Sequence, residues 1–317
     1  MIRPLALATI LVAAIALGTP LSAQNGRTDP LTAEIQLDDA DRFVALFERT
    51  GGKPTAEQLK AEYLDPGSYG VEVFTPRRIV NAERLAQEIA ANTEDYRRAI
   101  DICLPQVREA NADLRSIYLG LRGALPNADL PDIYVLFGAG NSGGTAGPGA
   151  QVLGLEVLCR LSSEPDALRR TLRHFFAHET VHALQRETGA SKPDDHLLHS
   201  VLAEGAADFI ARLVTGEEPD TPRAEWALPR EAELIARLDA DFDIVRSGGD
   251  GHHAALRRWV GNYGSAPDDW PGELGYWMGL RIWERYWAQA QDKRGALNRM
   301  LTLDDPRAIL AIARAPQ

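Results

Sequence analysis

The sequence predicts an α+β protein that is predominantly helical and carries a small sheet. Apolar side chains recur at three- to four-residue spacing over most of the 317 residues, which is typical of amphipathic helices. Two short apolar runs bounded by glycine, at 132–137 and 151–159, predict buried strands instead. Because 45% of the residues are hydrophobic, the chain has enough apolar surface for a substantial core.

Residues 1–23 resemble a secretory signal peptide. Arg3 supplies a short basic segment, Leu5 to Leu17 form an apolar run, and the small residues up to Ala23 suit a cleavage site. That apolar run is short for a permanent span, although an uncleaved anchor is an alternative. We therefore expect an exported protein, periplasmic or secreted after cleavage near Ala23, with no permanent membrane span in the mature chain.

The rest of the chain divides by its motifs. Residues 24–130 read as a helical scaffold region, whereas residues 131–317 contain both predicted strands and the polar motifs described below. We expect the two regions to form one continuous domain.

The formal net charge of −11 argues against nucleic acid as a main partner, because no basic patch is present to neutralise phosphates. Cys103 and Cys159 are the only cysteines. In an oxidising compartment they either form one disulfide or remain two buried free thiols, and the sequence does not choose between these.

The most informative motif is His178-Glu179-Thr180-Val181-His182, which reads H-E-x-x-H within a predicted helix. Residues four apart lie on one face of a helix, so His178 and His182 can direct two imidazoles at one cation. Glu179 projects about 100° away from His178 and can reach a water beside that cation. This pattern predicts a zinc site with an adjacent carboxylate base.

Glu204 is the candidate third ligand. It lies in a second predicted helix, residues 200–214, and two helices joined by a loop can place facing residues around one ion. Asp208 lies one turn beyond Glu204, where it could accept the second N–H of a ligand histidine. We therefore predict one Zn²⁺ per chain, held by His178, His182 and Glu204, with Asp208 as an orienting partner.

The two motifs, His178-Glu-Thr-Val-His182 and Glu204-Gly-Ala-Ala-Asp208, together resemble the gluzincin metallopeptidases. The resemblance implies a zincin-like fold over 131–317, with a small sheet next to the H-E-x-x-H helix and Glu179 as the general base. The chain also resembles a bacterial family of predicted zinc-dependent proteases of unknown function. That wider resemblance rests on three stretches, Tyr63-Leu-Asp-Pro-Gly-Ser68, Gly140-Asn-Ser-Gly-Gly-Thr145 and Gly275-Tyr-Trp-Met-Gly279.

Other metal assignments fit less well. A metzincin needs glycine and histidine where Gln185 and Thr188 stand. His174 lies two helical turns from His182, about 12 Å by helix rise, so it is expected to pack or to orient a ligand. The remaining competitors for the third ligand are in the segment after the helix: Asp194, Asp195, His196 and His199.

Residues 138–143 match G-x-G-x-x-G after a strand, but Pro148 follows where a nucleotide site requires a helix. A glycine-rich hairpin is the better interpretation. The gluzincin resemblance implies that such a hairpin borders the substrate site and pairs with extended peptide; a surface loop is the alternative. Tyr276 is a candidate hydrogen-bond donor to a tetrahedral intermediate, and His252 and His253 are weaker candidates for that role.

The expected function is zinc-dependent hydrolysis of peptide bonds, with a peptide or protein substrate. Glu179 would take a proton from water and deliver it to the leaving amine. Two alternatives stay open: a zinc hydrolase of non-peptide amides, and a non-catalytic zinc-containing envelope protein.

Overall fold

A computed structural model describes residues 28–162, 164–185, 195–267 and 269–315 of the chain. These residues are predominantly helical and contain one small mixed sheet, so the predicted α+β class is confirmed. The predicted signal peptide, 1–23, lies outside the described residues. Among the helices that are described, none is long and apolar enough to cross a membrane.

Most of the chain from residue 38 to residue 124 is helical. In chain order they are α1 Asp38–Arg49, α2 Ala56–Leu59, α3 Tyr69–Phe74, α4 Ala82–Ala91, α5 Thr93–Arg98, α6 Leu104–Arg108 and α7 Asn111–Ala124. Three π-helical turns extend some of them: Lys60–Leu64, Thr75–Ile79 and Ala99–Cys103.

A second set of helices follows the sheet. It comprises α8 Leu155–Leu161, α9 Pro165–Leu184, α10 His196–Thr215, α11 Thr221–Ala227, α12 Glu231–Ser247, α13 His252–Trp259, α14 Leu274–Gln289, α15 Lys293–Thr302 and α16 Pro306–Arg314. The H-E-x-x-H motif is on α9 and the Glu204 motif is on α10, as the sequence predicted.

The sheet has four strands, β1 Ile35–Gln36, β2 Asp132–Leu136, β3 Gly144–Gly147 and β4 Ala150–Gly154, in the order β1-β2-β4-β3. β2 is parallel to β1 and β4, whereas β3 runs antiparallel to β4 and forms one edge. The prediction of a strand over 151–159 was wrong beyond Gly154, where α8 begins. An unbroken buried apolar run fits a strand and a buried helix equally well, so periodicity alone could not place that boundary.

The sheet lies between two helices. Alternation along β3 turns Gly147 towards Val73 on α3 and turns Gly144 towards Glu179 on α9. On the α9 side, Gln151 of β4 donates to the Phe175 carbonyl at 2.7 Å and accepts from the Thr180 hydroxyl at 2.8 Å. These two bonds fix α9, and therefore its H-E-x-x-H motif, at a defined height over the edge strand.

α10 and α14 approach so closely that only glycine fits between them. A Cβ on Gly205 would lie 2.1 Å from the Gly279 carbonyl carbon, and a Cβ on Gly279 would lie 1.9 Å from the Val201 carbonyl oxygen. Trp283 strengthens the contact by donating its indole N–H to the Leu202 carbonyl at 2.8 Å. Because Tyr276 is one turn before Gly279, this contact brings Tyr276 next to the Glu204 helix.

Candidate metal centre

Three side chains on α9 and α10 direct one atom each at a common point. His182 Nε2 lies 3.0 Å from His178 Nε2 and 3.0 Å from Glu204 Oε2, and His178 Nε2 lies 3.4 Å from Glu204 Oε2. The helical spacing accounts for the histidine pair, and the packing of α10 on α9 supplies the carboxylate. His178 is buried, whereas His182 and Glu204 remain partly exposed, so the triangle of atoms is accessible from one side.

The second ring nitrogens of both histidines face hydrogen-bond acceptors. His178 Nδ1 lies 2.8 Å from Asp208 Oδ1, and His182 Nδ1 lies 2.8 Å from Gln185 Oε1. The Gln185 amide is itself oriented, since its Nε2 donates to the Ala203 carbonyl at 3.0 Å. Each Nδ1 therefore carries the proton, which assigns an unprotonated Nε2 to each neutral imidazole.

When both imidazoles are neutral, as metal ligation requires, the triangle consists of three hydrogen-bond acceptors. Acceptor atoms at 3.0–3.4 Å repel one another unless a positive charge, either a proton or a metal ion, lies between them. Four-coordinate zinc holds nitrogen and oxygen ligands at about 2.0–2.2 Å, which separates ligand atoms of a tetrahedron by about 3.3 Å. The residues present therefore fit a metal ion, and they leave room for a fourth ligand.

Electrostatics give the same picture of a cluster that attracts positive charge. Burial acts to lower the pKa of His178, but hydrogen bonds to Asp208 and Glu204 outweigh it and raise that pKa to about 10. Burial acts to raise the pKa of Glu204, but the charge of His182 and hydrogen bonds to both histidines hold it below its usual range. The same balance between burial and His178 lowers the pKa of Asp208.

Glu179 lies between this cluster and the sheet. Its carboxylate is packed so closely on Gly144 that a Cβ there would lie 2.7 Å from Glu179 Oε1. Its negative charge also acts on both His178 and His182 and raises their pKa values. A carboxylate in this position can exchange a proton with a molecule held between the triangle and β3.

The free side of β3 presents backbone groups beside that carboxylate. The Gly154 N–H donates to the Gly143 carbonyl at 3.1 Å, which sets the alternation so that Thr145 faces β4. Gly144 and Ala146 consequently turn their backbone groups towards the open edge. The Ser142 hydroxyl donates to the Gly144 carbonyl at 2.6 Å. Among the described residues, this leaves the Gly144 N–H and both groups of Ala146 available for an added strand.

Tyr276 packs against the cluster through His178. Its ring is nearly parallel to the His178 imidazole, with centroids 5.8 Å apart and planes 6° apart. Burial first, and then the negative charges of Glu204 and Glu273, raise its pKa well above the ordinary phenol value. Tyr276 therefore keeps its proton and can donate a hydrogen bond. No side chain or backbone group of the described residues accepts from its hydroxyl.

The other predicted residues fall outside the triangle. His174 Nε2 lies 3.7 Å from Asp208 Oδ1, so His174, His178 and Asp208 make a second possible metal-binding group that overlaps the first. Asp195 pairs with Arg307 at 3.0 Å instead. Neither His196 nor His199 belongs to a possible metal-binding group within the described part of the chain, and Asp194 lies outside it. His252 donates to the Val245 carbonyl at 3.1 Å.

Gln185 is a contact of the cluster that the sequence motifs do not assign. It lies three residues after His182, where one helical turn allows contact. The same reasoning that paired Asp208 with a histidine could have found it.

Comparison with protein-family models, with curated proteins and with solved structures found no match to this chain.

Proposed function

We propose that this protein is a zinc-dependent metallopeptidase in which the sheet, α9 and α10 form a zincin-like core. The single observation that carries the proposal is the triangle of His178, His182 and Glu204 acceptor atoms, with the Glu179 carboxylate next to it. His178, His182 and Glu204 would hold the ion. When bound, zinc supplies Lewis acidity, which polarises a scissile carbonyl and acidifies water.

The remaining chemistry belongs to side chains of the chain itself. Glu179 is the general base: it takes a proton from the attacking water and delivers it to the leaving amine. Tyr276 donates its phenolic O–H to the oxygen of the scissile carbonyl as negative charge develops there. Asp208 and Gln185 hold the two ligand imidazoles in the tautomer that leaves Nε2 free.

A peptide substrate is favoured over other amides by the edge strand. The open side of β3 offers alternating N–H and C=O groups within reach of Glu179, and an extended peptide matches that repeat by strand addition. A small non-peptide amide gains nothing from this edge. A panel containing both substrate types, tested on the same zinc-loaded protein, separates the two classes.

We also propose that the mature chain is exported. The Cys103–Cys159 disulfide supports this placement, because such bonds persist in oxidising compartments.

The decisive experiment compares wild type with Glu179→Gln after both have been loaded with zinc. Unfolded protein substrates would be incubated with each, and new peptide termini would be counted by mass spectrometry. We expect the variant to keep one zinc per chain and to lose about 10³-fold in hydrolysis, since a general base contributes about 10²–10⁴. Hydrolysis within a few-fold of wild type would refute the base assignment. Zinc binding with no cleavage by wild type would instead favour a non-catalytic zinc protein.

A further inference from the structure

A guanidinium group lies against the face of Tyr276 and has no part in the chemistry described above. The Arg223 Cζ atom is 5.5 Å from the centroid of the Tyr276 ring. The same ring is stacked on the His178 imidazole at 5.8 Å. Tyr276 is thus packed against both a metal-ligand histidine and a cation, an arrangement that restricts rotation of its ring.

Arg223 is held in place by two further contacts. Its Nε donates to the Gly272 carbonyl at 3.0 Å, and its Nη2 lies 3.1 Å from Asp220 Oδ2. Asp220 also caps α11 by accepting from the Arg223 backbone N–H at 2.8 Å. Only 14% of the Arg223 side chain is exposed. The guanidinium is therefore fixed relative to both α11 and the turn that precedes α14.

That turn has a fixed conformation of its own. Glu273, the residue before α14, adopts a left-handed backbone conformation with φ 55°. This conformation is unfavourable for most residues other than glycine and asparagine. Its carboxylate accepts the backbone N–H groups of Gly261 and Asn262 at 2.9 and 2.8 Å, and Asn262 Oδ1 accepts from the Glu273 N–H at 2.7 Å. The first turn of α14, which carries Tyr276, starts from this constrained point.

We propose that Arg223 is a positioning residue for Tyr276, holding its phenol beside the metal cluster in the orientation that meets substrate. The inference rests on the proposed hydrolytic function for its kinetic consequence, but the position of the ring can be measured without any substrate. The Tyr276 ring is in contact with both the Arg223 guanidinium and the His178 imidazole, and removing the guanidinium leaves the ring freer to move.

The kinetic test is a double-mutant cycle on zinc-loaded protein with a cleaved peptide. Tyr276→Phe is expected to lower kcat about 100-fold, and Arg223→Met about tenfold, with KM changed less than twofold. Because Arg223 acts through the phenol, Arg223→Met should cause no further loss in the Tyr276→Phe background. An undiminished tenfold loss in that background overturns the proposal.

Arg230→Met is the matched control. Arg230 makes the same kind of contact, with its Cζ 4.5 Å from the Trp226 ring, and it follows directly on from α11. It touches neither Tyr276 nor the metal cluster, so its removal should leave kcat unchanged.

The substrate-free test uses protein labelled with 3-fluorotyrosine. The chain has eight tyrosines, and Tyr276→Phe assigns the resonance of interest by its absence. We expect Arg223→Met to shift and broaden the Tyr276 signal, Arg223→Lys to shift it less, and Arg230→Met to leave it in place. An unchanged Tyr276 signal in Arg223→Met overturns the proposal even if no peptide is ever cleaved.

Zinc affinity is the third measurement. Arg223 also exerts its charge on Asp208 and His174, so it could act on the metal site directly. Wild-type affinity in Arg223→Met supports action through Tyr276, and a tenfold loss of affinity contradicts it.

Discussion

Two glutamates in this molecule meet opposite partners. Glu156 on α8 is buried, and its carboxylate accepts the backbone N–H groups of Gly138 and Gly140 at 3.0 and 3.1 Å. Glu204 on α10 faces two imidazole nitrogens that present lone pairs. Burial raises the pKa of Glu156, whereas the charge and hydrogen bonds of the histidines lower that of Glu204. A carboxylate matched by backbone donors forms a structural contact, whereas one that faces two basic nitrogens holds a positive charge, either a proton or a metal ion.

The loop and helix around Glu156 are held by further contacts. The Tyr96 hydroxyl donates to the Gly138 carbonyl at 2.7 Å, and Arg160 donates to the Gly140 carbonyl. The Cys103–Cys159 disulfide joins α8 to the π-helical turn before α6, which settles the question that the sequence left open. Both carboxylate oxygens of Glu156 are thus matched by backbone donors without any ligand.

The largest expected effect tests the acceptor triangle. Glu204→Ala removes one of three ligands, and we expect zinc affinity to fall at least 10³-fold while the fold is retained. Metal content per chain, followed by competition with a chelator, measures this. Zinc retained at full affinity would show that Glu204 is not the third ligand and would point to residues 194–199 instead. If the wild-type chain takes up no zinc, the proposed metal site is refuted.

The next effect concerns the strand that joins the two regions. The loop held by Glu156 runs directly into β3, where Gly144 packs on Glu179. Gly144→Ala would push the Glu179 carboxylate aside, and a displacement of about 1 Å can cost about 10²-fold in rate. We expect that loss in turnover with zinc content unchanged. Gly123→Ala is the control, since a Cβ at Gly123 meets nothing within 4 Å. Equal activity of the two variants would contradict the placement of Glu179.

The sequence predicted that His178, His182 and Glu204 come together, and helical spacing accounts for much of that arrangement. His178 and His182 are four apart, as are Glu204 and Asp208, so each pair must share a helix face. Helical spacing does not determine how α9 packs on α10, and no sequence pattern between the two helices predicts that packing. Arg223 was not predictable, because 53 residues separate it from Tyr276 and no local pattern links them. Gly144 was predicted only as part of a hairpin that the family resemblance placed beside the substrate.

A smaller effect tests the other side of the comparison. In Glu156→Gln, the new amide N–H₂ must face one of the two backbone N–H groups, which leaves a buried donor unpaired. We expect the free energy of unfolding to fall by about 1–3 kcal/mol with zinc affinity unchanged. Glu204→Gln should weaken zinc binding, and it should also lower stability in metal-free protein, because the lowered pKa of Glu204 means that its charge stabilises the fold at neutral pH. Zinc titration measures the affinity of both variants, and denaturant unfolding after chelation measures their stability.

The smallest effect concerns orientation within the triangle. Asp208→Asn keeps an acceptor beside His178 Nδ1 but removes its negative charge, which supports the basicity of the imidazole. We expect zinc affinity to fall about tenfold, at the low end of what orienting partners contribute. Asp113→Asn is the matched control: Asp113 pairs with Arg169 and Arg173 on the ligand helix, so it should lower stability without changing affinity. If both variants weaken zinc binding equally, then zinc affinity follows the stability of α9 and does not depend specifically on the contact between Asp208 and His178. If only Asp208→Asn does so, the negative charge beside His178 Nδ1 supports zinc binding directly.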